Sequence, residues 1–412
     1  MRKKILIHSL IFSPDGVSTA YLYNDIALRF QACGYEVVVL TTTPHYNVVE
    51  EQLAKQPLKW KVWGICKQSD FNGIKVIHIP QKKFKSTILR LFGFAYWHIL
   101  AFLIGLFIRK ISVIISPSPP LTIGVINLWL AKIKGCKVIY NVQEIYPDIL
   151  NKKEGLIVSV LSKMERYVYR RSAAVTTIDQ VFYNTIVGRF QDKSRLHIIP
   201  NFVDTDLYNP YNGDISLLDK SLFPQTTSLK VLYAGNIGYA QDWKPLISIA
   251  EKLQDASVEF FVIGEGAMKA YIQSEIDKLN LKNIHLLPYQ PRNLMPSILA
   301  YSDLQFIFMT PEMEMQGFPS KVYTIMACAK PLLVCSGKQT PIVNFLEKYN
   351  CAKLITEKDY DRKVDEMVAW LKSINKSELV AMGKRGVDVI NRYYSKNVVT
   401  QQYVDLVDKL LV

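Results

Sequence analysis

The sequence predicts an α/β protein of two domains, each with a parallel sheet. The two sheets are expected to face a central cleft. Three observations support this class. The chain has 412 residues, enough for about two domains of roughly 200 residues that can each bury a core. Apolar runs typical of buried strands alternate with helical patterns in both halves. Glycine-rich turns follow several of the strand patterns, and such alternation favours parallel strands joined by right-handed crossovers.

The N-terminal half predicts strands and helices in turn. A first helix is expected over 19–33, with Ser18 as its cap. Pro119-Pro120 starts a second helix, which Gly135 ends. The strand patterns are KKILIHS at 3–9, EVVVLTT at 36–42, KVIHIP at 75–80, SVIISPS at 112–118 and KVIYNVQ at 137–143.

Two stretches of the C-terminal half predict a strand that runs into a glycine turn and then a helix. They are LKVLYAGNIGYAQDWKPLISIA at 229–250 and VEFFVIGEGAMKAYI at 258–272. Glycine at a strand end lets the backbone approach a ligand closely, and ligands of open α/β sheets bind at the carboxyl ends of strands. A dinucleotide fingerprint is not indicated, because the first stretch lacks the third glycine and Lys269 replaces it in the second.

The most informative stretch reads QGFPSKVYTIMACAKP at 316–331. It follows a predicted buried strand at 301–309 and opens a helix at Pro319. The Ser320 hydroxyl, the Lys321 ammonium and the free N–H groups of a helix start together suit a phosphorylated ligand. The alternative interpretation is an ordinary strand-to-helix joint with a surface lysine.

A further segment, HIIPNFVDTDLYNP at 197–210, predicts a strand that ends in a Pro-Asn turn with two aspartates behind it. In order and spacing across nearly the whole chain, these segments resemble the family-4 glycosyltransferases of the two-domain GT-B architecture. The resemblance implies two Rossmann-like domains, at 1–205 and 206–390. It also implies a closing helix at 391–412 that crosses back to the first domain.

Two motifs resemble the branch of this family that makes bacterial surface polysaccharide and includes the fucosamine transferases of O-antigen assembly. They are GN-x-G-x-AQ at 235–241 and PSK at 319–321. The wider family carries two glutamates eight positions apart, the second of which holds the donor ribose. This chain has Gln316 and Thr324 there, so altered or absent catalysis is an alternative to a transferase that uses other groups.

The resemblance implies that the chain binds a nucleotide-sugar donor, preferably a uridine nucleotide, and needs neither a metal nor a cofactor. The wider family holds the donor pyrophosphate with an Arg/Lys pair, where this chain has Asn236 and Gln241. Lys321 is the best substitute cation, since charge-assisted bonds to phosphate are the stronger ones. The implied donor-binding residues are Gly16, Val17, Gly235, Asn236, Gly238, Gln241, Gly264, Gly266, Gln316, Pro319, Ser320, Lys321 and Thr324.

Three residues of the N-terminal half are candidates for catalysis. Glu144 and Asp148 follow a strand pattern in NVQEIYPDIL, where a carboxylate can accept the proton of the acceptor hydroxyl. Ser18 is included because the segment from Gly16 resembles the first-domain loop of the family. For Glu144 and Asp148 the equal alternative is that each is an exposed acid at a strand end, with Asp148 capping a helix. By resemblance the reaction retains anomeric configuration through front-face attack, and no Ser/His/Asp or Cys/His set is visible.

Positive charge is concentrated in the N-terminal half. Residues 1–200 hold 27 Lys and Arg against 12 Asp and Glu, whereas residues 201–412 hold 23 against 24. A basic face of this kind suits nucleic acid, an anionic membrane or a pyrophosphate-bearing acceptor. No helix-turn-helix, RNP or finger pattern accompanies the charge, so nucleic acid is not a predicted partner.

The segment LFGFAYWHILAFLIGLFI at 91–108 has 18 residues without a formal charge, flanked by Lys and Arg. That barely reaches the roughly 18–20 residues needed to span a bilayer. Three interpretations stay open: an interfacial helix with Tyr96 and Trp97 at headgroup level, a buried core helix, and a spanning helix. The first is preferred and predicts a peripheral protein on the cytoplasmic face of the membrane. The N-terminal MRKKILIHSLIF predicts a strand rather than a signal peptide.

The six cysteines are scattered, mostly among apolar neighbours, which predicts buried thiols in a reducing compartment rather than disulfides or a zinc site. The six histidines form no paired motif, so no structural metal is expected. The expected activity is transfer of a sugar, an N-acetylated amino sugar by resemblance, from a nucleoside-diphosphate donor. The expected acceptor is a lipid-linked saccharide, such as a polyprenyl-diphosphate saccharide, in O-antigen, capsule or lipopolysaccharide synthesis. The rival expectations are a sugar-nucleotide 2-epimerase of the same architecture and an inactive membrane scaffold.

Overall fold

The computed structural model describes residues 2–61, 64–81, 86–148, 154–190, 192–314 and 318–412. The chain divides into two compact units. Unit 1 consists of Met1–Asn201 together with Val399–Val412, and unit 2 consists of Phe202–Val398.

Unit 1 is built on a nine-stranded sheet. Its strands are β1 (Lys4–His8), β2 (Glu36–Thr42), β3 (Lys59–Lys61), β4 (Cys66–Phe71), β5 (Ile74–Ile79), β6 (Ile111–Ser118), β7 (Lys137–Val142), β8 (Ala174–Thr177) and β9 (Leu196–Ile198). Its helices are α1 (Ser18–Ala32), α2 (Glu50–Lys55), α3 (Thr87–Phe107), α4 (Leu121–Lys134), α5 (Leu156–Arg171) and α6 (Gln180–Val187). The strand order is β3-β4-β5-β2-β1-β6-β7-β8-β9.

The predicted parallel sheet of unit 1 is extended at one edge by two antiparallel strand pairs, which were not predicted. β3 pairs antiparallel with β4, and β4 pairs antiparallel with β5. The cause of the β4–β5 pairing is the two-residue connection Asn72-Gly73, where φ is 51° and 84°. Two successive residues with positive φ form a tight hairpin turn whose twist matches the paired strands, so the chain returns directly instead of crossing over.

The two predicted helices of the N-terminal half are present, with one correction. α1 begins at Ser18, so Val17 takes the cap position and no side chain caps the helix. The helix therefore starts one residue earlier than the capping argument expects. α4 ends before Gly135, whose φ of 65° is the left-handed conformation predicted for the residue that ends this helix.

Unit 2 is built on six parallel strands in the order β12-β11-β10-β13-β14-β15. The strands are β10 (Leu229–Ala234), β11 (Val258–Ile263), β12 (Ile284–Leu287), β13 (Leu304–Phe308), β14 (Leu332–Cys335) and β15 (Ala352–Ile355). The helices are α7 (Lys244–Lys252), α8 (Lys269–Leu279), α9 (Met295–Tyr301), α10 (Lys321–Ala327), α11 (Pro341–Glu347), α12 (Tyr360–Ser373) and α13 (Lys376–Val389). The last helix, α14 (Lys396–Leu411), begins in unit 2 and belongs to unit 1 from Val399.

The strand order of unit 2 reverses between β10 and β13. In open α/β sheets, ligands bind outside the carboxyl ends of the strands where the order reverses. The glycine turn after Ala234 and the loop after Phe308 leave the sheet at this point. The fold therefore brings the Gly235 turn and Lys321 to the same corner, although they lie far apart in sequence.

Most of the cysteines are inside the two units. Cys66, Cys328, Cys335 and Cys351 are buried and Cys136 is half-buried, while Cys33 is exposed, contrary to the expectation of buried thiols. Burial raises the pKa of the Cys136, Cys335 and Cys351 thiols to about 11, so these thiols are neutral packing groups.

Candidate functional site

Two glycine turns meet at the carboxyl edge of the sheet of unit 2. β10 and β11 run parallel, with Ala234 opposite Ile263. Pairing continues beyond the strands, because the Gly235 N–H donates to the Ile263 carbonyl and the Ile237 N–H donates to the Glu265 carbonyl, both at 2.9 Å. The two turns therefore form one bonded backbone surface.

Glycine is required where these turns approach each other. A Cβ on Gly264 would lie 2.0 Å from the Gly235 carbonyl oxygen, and a Cβ on Gly266 would lie 2.3 Å from the Ile237 carbonyl oxygen. Gly264 and Gly266 also have φ of 145° and 157°, a conformation that side chains rarely adopt. The two glycines thus have a local structural cause besides any access for a ligand.

The Lys321 side chain reaches into this corner from the start of α10. Its Nζ lies 3.8 Å from the centre of the Tyr233 ring and donates to the Ala234 carbonyl at 3.3 Å. A Cβ on Gly235 would lie 2.5 Å from Nζ, so glycine there makes room for the ammonium. Burial lowers the pKa of Lys321 to about 7, because desolvation disfavours the charged form.

Tyr233 and Trp243 pack beneath the first glycine turn and are hydrogen-bonded to it. The Tyr233 hydroxyl donates to the Asn236 carbonyl at 2.8 Å, and the Trp243 ring meets the Tyr233 ring edge-on at 5.1 Å. The Trp243 indole N–H donates to the Gly238 carbonyl at 3.0 Å. Both aromatic residues were missed from the sequence, although the apolar run of β10 ending in Tyr-Ala-Gly placed Tyr233 at the strand end.

Gln241 and Asn236, the residues expected at the positions of the family's cationic pair, differ in their surroundings. The Gln241 side-chain carbonyl accepts from the Phe308 N–H at 3.1 Å, which ties the first turn to β13. Gln241 is also buried, so its side chain has a structural role in the site. Asn236 is exposed, and its side chain lies beside Gly238 and Gly266.

The start of α10 differs from the expected cluster of free N–H groups. The Val322 N–H donates to the Pro319 carbonyl at 3.0 Å, and the Tyr323 N–H donates to the Ser320 carbonyl at 3.2 Å. These two groups are used within the turn because α10 opens with a tight 3₁₀-like turn. The Ser320 hydroxyl is exposed and caps nothing, and Thr324 is half-buried one turn further. Gln316 lies outside the described residues.

In unit 1, the loop after β1 is bonded to the loop after β2. The Gly16 N–H donates to the Tyr46 and Asn47 carbonyls at 3.1 and 3.0 Å, and a Cβ on Gly16 would lie 2.5 Å from the Asn47 oxygen. Asp15 is buried, and its carboxylate accepts from the His45 N–H at 2.7 Å. Val17 and Ser18 follow at the start of α1, where Ser18 is exposed.

The two candidate acids stand in different environments. Glu144 follows β7, and burial raises the pKa of its carboxyl group, while a hydrogen bond from Tyr146 acts in the opposite direction. Asp148 pairs with Arg189 at 2.7 Å, and the same guanidinium pairs with the buried Glu165 at 3.1 Å. The helix-capping alternative for Asp148 concerns residues 149–153, which lie outside the described residues, so it stays open beside the ion pair. Glu144 is the candidate acid whose pKa burial raises.

The apolar helix α3 has one packed face and one exposed face. Trp97 and Ala101 are buried in the core of unit 1. The opposite face, called here the apolar stripe, consists of Leu89, Phe92, Tyr96, Ile99, Leu103 and Phe107, which are all exposed. Their spacing of three or four residues places them along one side of the helix. Within the described residues, no helix is both long and apolar enough to cross a bilayer.

No group of three or more His, Cys, Asp and Glu side chains in the described part of the chain is arranged to hold a metal ion.

Two family models match the chain, one in each half. "Glycosyltransferase Family 4" matches residues 20–207, and "Glycosyl transferases group 1" matches residues 214–386. The chain is 21% identical over 379 residues to the putative colanic acid biosynthesis glycosyl transferase WcaI of Escherichia coli K12, covering 90% of this chain and 91% of the relative. It is 21% identical over 257 residues to the probable glycosyltransferase WbjE of Pseudomonas aeruginosa, covering 59% and 63% of the two chains.

Solved structures share the architecture. HepE of Anabaena, crystallised with UDP and glucose, superposes with a TM-score of 0.70 at 13% identity, over 99% of this chain and 100% of that one. The matches and the two mainly parallel sheets confirm the predicted GT-B glycosyltransferase fold.

Proposed function

We propose that this chain, a glycosyltransferase of the GT-B type, transfers a sugar from a UDP-linked donor to a lipid-linked saccharide in the synthesis of surface polysaccharide. One observation carries the proposal: the Lys321 ammonium lies over the Gly235 turn at the point where the strand order of unit 2 reverses. That position is where a ligand of such a sheet binds, and its chemistry suits a diphosphate.

The donor's diphosphate is the group that fits this corner. Lys321 is partly desolvated, and burial is the cause that moves its pKa. An anion that enters the corner restores the charged form by Coulomb attraction, which is stronger away from bulk water. Two exposed hydrogen-bonding groups accompany this ammonium: the Asn236 side chain on the first glycine turn, and the hydroxyl of Ser320, the residue before Lys321. Departure of the sugar leaves a diphosphate whose growing charge the ammonium stabilises.

A uridine nucleotide is the preferred donor. HepE, which shares the fold, was crystallised with UDP and glucose. The motifs at 235–241 and 319–321, which resemble the fucosamine transferases, favour an N-acetylated amino sugar. Transfer with retention needs no nucleophilic side chain, so the protein contributes position and charge.

The acceptor hydroxyl is assigned to the carboxyl edge of unit 1. Glu144 is the proposed proton acceptor, because burial raises the pKa of its carboxyl group towards the working range of a base. Ser18, exposed at the start of α1, is the proposed hydrogen-bonding group for the acceptor or the donor phosphates. Asp148 has a smaller role, since Arg189 already neutralises it.

A lipid-linked acceptor requires contact with a membrane. The apolar stripe of α3 and the positive surplus of residues 1–200 support peripheral binding to an anionic membrane, on the cytoplasmic face. The curated relative WcaI is named for colanic acid biosynthesis, and the same kind of pathway is proposed here.

The test is transfer of radiolabelled sugar from UDP-linked donors into the lipid fraction of bacterial membranes. Wild type should label lipid, and Lys321→Ala should lower kcat/KM by about 100- to 1,000-fold, as for other groups that stabilise developing negative charge. Lys269→Ala is the matched control, because Lys269 is a nearby lysine whose ammonium pairs with Glu265 at 2.6 Å. Epimerised donor instead of labelled lipid would identify an epimerase, and unchanged function of Lys321→Ala in cells would identify a scaffold.

A further inference from the structure

A cavity of about 350 Å³ opens in unit 1, on the face of the sheet that α3 covers. Lys4, Glu36 and Lys75 line it from the amino ends of β1, β2 and β5, and Ile108 lines it from the end of α3. β1, β2 and β5 are parallel neighbours. The candidate acceptor-binding residues follow the carboxyl ends of strands in this sheet. The cavity therefore lies at the opposite ends of the strands and is not part of the proposed acceptor site or of the donor site in unit 2.

The strand register places the lining side chains on one face. Lys4 pairs with Glu36, and Val38 pairs with Lys75. On the antiparallel hairpin, Lys61 pairs directly with the buried Cys66. Residues paired across neighbouring strands project to the same side of a sheet, so the basic residues converge because of the register.

The rim of the cavity carries a surplus of positive charge. Lys4, Lys61, Lys75 and Arg109 line it, and Glu36 is the acidic residue among its lining residues in the described part of the chain. Lys4 pairs with Glu36 at 2.9 Å. That pairing leaves the three exposed cations, at Lys61, Lys75 and Arg109, available to an anion.

The interior of the cavity is apolar. Val38 and Ile77 contribute from the sheet, and Ile104 and Ile108 contribute from α3. Phe107 also lines the cavity, and it is 84% exposed at the end of the apolar stripe. A cationic rim around an apolar interior, continuous with an exposed apolar helix face, matches an amphiphile with one anionic head and a hydrocarbon chain.

We propose that this cavity binds one anionic phospholipid, with its phosphate among Lys61, Lys75 and Arg109 and the start of an acyl chain against Ile104 and Phe107. This inference rests on the membrane part of the proposed function. The bound lipid anchors unit 1 at the membrane without occupying the carboxyl ends of the strands, where the acceptor is proposed to bind.

The first test measures sedimentation of the full chain with sucrose-loaded vesicles of phosphatidylcholine, with and without 30% phosphatidylglycerol. Wild type should bind the anionic vesicles, and the triple variant Lys61→Gln, Lys75→Gln, Arg109→Gln should partition roughly 100-fold less, at about fivefold per basic residue near the surface. The matched control removes the same charge at Lys55, Lys193 and Lys220, which are exposed and outside the cavity; it should stay within about fivefold of wild type.

Equal losses in the triple variant and the matched control would overturn the cavity while leaving general membrane attraction intact. No binding of wild type to either vesicle would overturn both this inference and the membrane part of the proposed function. Transfer of sugar to a detergent-dispersed acceptor needs no vesicle. This assay therefore tests transferase activity independently of the lipid site and of membrane binding.

The second test distinguishes a lipid from free phosphate. Thermal unfolding is followed with dihexanoyl phosphatidylglycerol, dihexanoyl phosphatidylcholine, glycerol phosphate and inorganic phosphate. The anionic short-chain lipid should raise Tm of wild type and not of the triple variant, since a ligand stabilises the state that binds it. An equal rise with inorganic phosphate would identify a phosphate site and overturn the lipid.

Discussion

The carboxyl edges of the two sheets use charge in different ways. In unit 2, one half-buried ammonium at Lys321 lies against a carbonyl and an aromatic ring, and no described carboxylate forms an ion pair with it. In unit 1, the acids already have partners: Asp15 accepts peptide N–H groups and Asp148 pairs with Arg189. Among the described residues, the ammonium of Lys321 in unit 2 has no paired carboxylate, whereas Asp15 and Asp148 of unit 1 are used to hold loops of that unit.

This difference indicates where a ligand has most to contribute. A diphosphate at Lys321 supplies electrostatic stabilisation for an ammonium whose charged form burial disfavours. At the edge of unit 1, Glu144 is the candidate acid that no described guanidinium or ammonium pairs with. Substitution of Lys321 in unit 2 should thus weaken donor binding. Substitutions of acids in unit 1 should distinguish those that stabilise the fold from the one proposed to accept a proton.

The largest expected effect comes from Gly264→Ala. The new Cβ would collide with the Gly235 carbonyl, and φ of 145° is strained for alanine. Unit 2 should lose about 3–5 kcal/mol of unfolding free energy, measured by urea denaturation. Gly188→Ala is the control, because Gly188 has φ of −72° and open space around its Cβ position. A Gly264→Ala protein as stable as this control would show that the turns are not closely packed.

Arg189→Gln should lower the unfolding free energy of unit 1, because the Arg189 guanidinium stabilises the folded state. The buried Glu165 would lose its cationic partner, and burial already raises its pKa. The loss of unfolding free energy should be about 2 kcal/mol near pH 8. It should shrink near pH 5, because a folded-state pKa above the unfolded value makes stability fall as pH rises.

The control for Arg189→Gln is Lys55→Gln, which breaks an exposed pair with Glu51 and should change stability by less than about 0.5 kcal/mol. A pH-independent loss in Arg189→Gln would contradict the assignment of Glu165 as the group left unpaired.

Glu144→Gln and Asp148→Asn should separate the two candidate acids. Loss of a proton acceptor should lower kcat by about 100-fold for Glu144→Gln. Asp148→Asn should lower kcat by less than about fivefold, since the Asp148 carboxylate is paired with Arg189 and is not the proposed proton acceptor, and losing this ion pair costs little stability. The measurement is kcat for transfer at saturating donor and acceptor. A larger loss for Asp148→Asn would reverse the assignment.

The sequence predicted the alternation of strands and helices, because burial leaves a periodic apolar pattern in each segment. It also predicted the strand–loop–helix order around Lys321, which local patterns determine. The β3–β4–β5 hairpin was missed although Asn72-Gly73 is a hairpin signal. The contact of Lys321 with Ala234 joins residues 87 positions apart, and the Arg189–Asp148 pair joins residues 41 apart. Such contacts depend on how strands are ordered in the sheet, which single-segment patterns do not specify.

The most direct test of the account is the pH dependence of donor binding. The claim is that the Lys321 ammonium, with a pKa of about 7 in the free protein, holds the donor diphosphate. A diphosphate raises this pKa, so above pH 7 binding requires proton uptake and affinity falls as pH rises.

Calorimetric titration of a UDP-sugar, whose diphosphate charge is constant over this range, should give a Kd that rises between pH 7 and pH 9 and approaches about tenfold per pH unit. Lys321→Arg should remove this dependence, because arginine stays charged. A wild-type Kd that is the same at pH 6.5 and pH 9 would contradict the account.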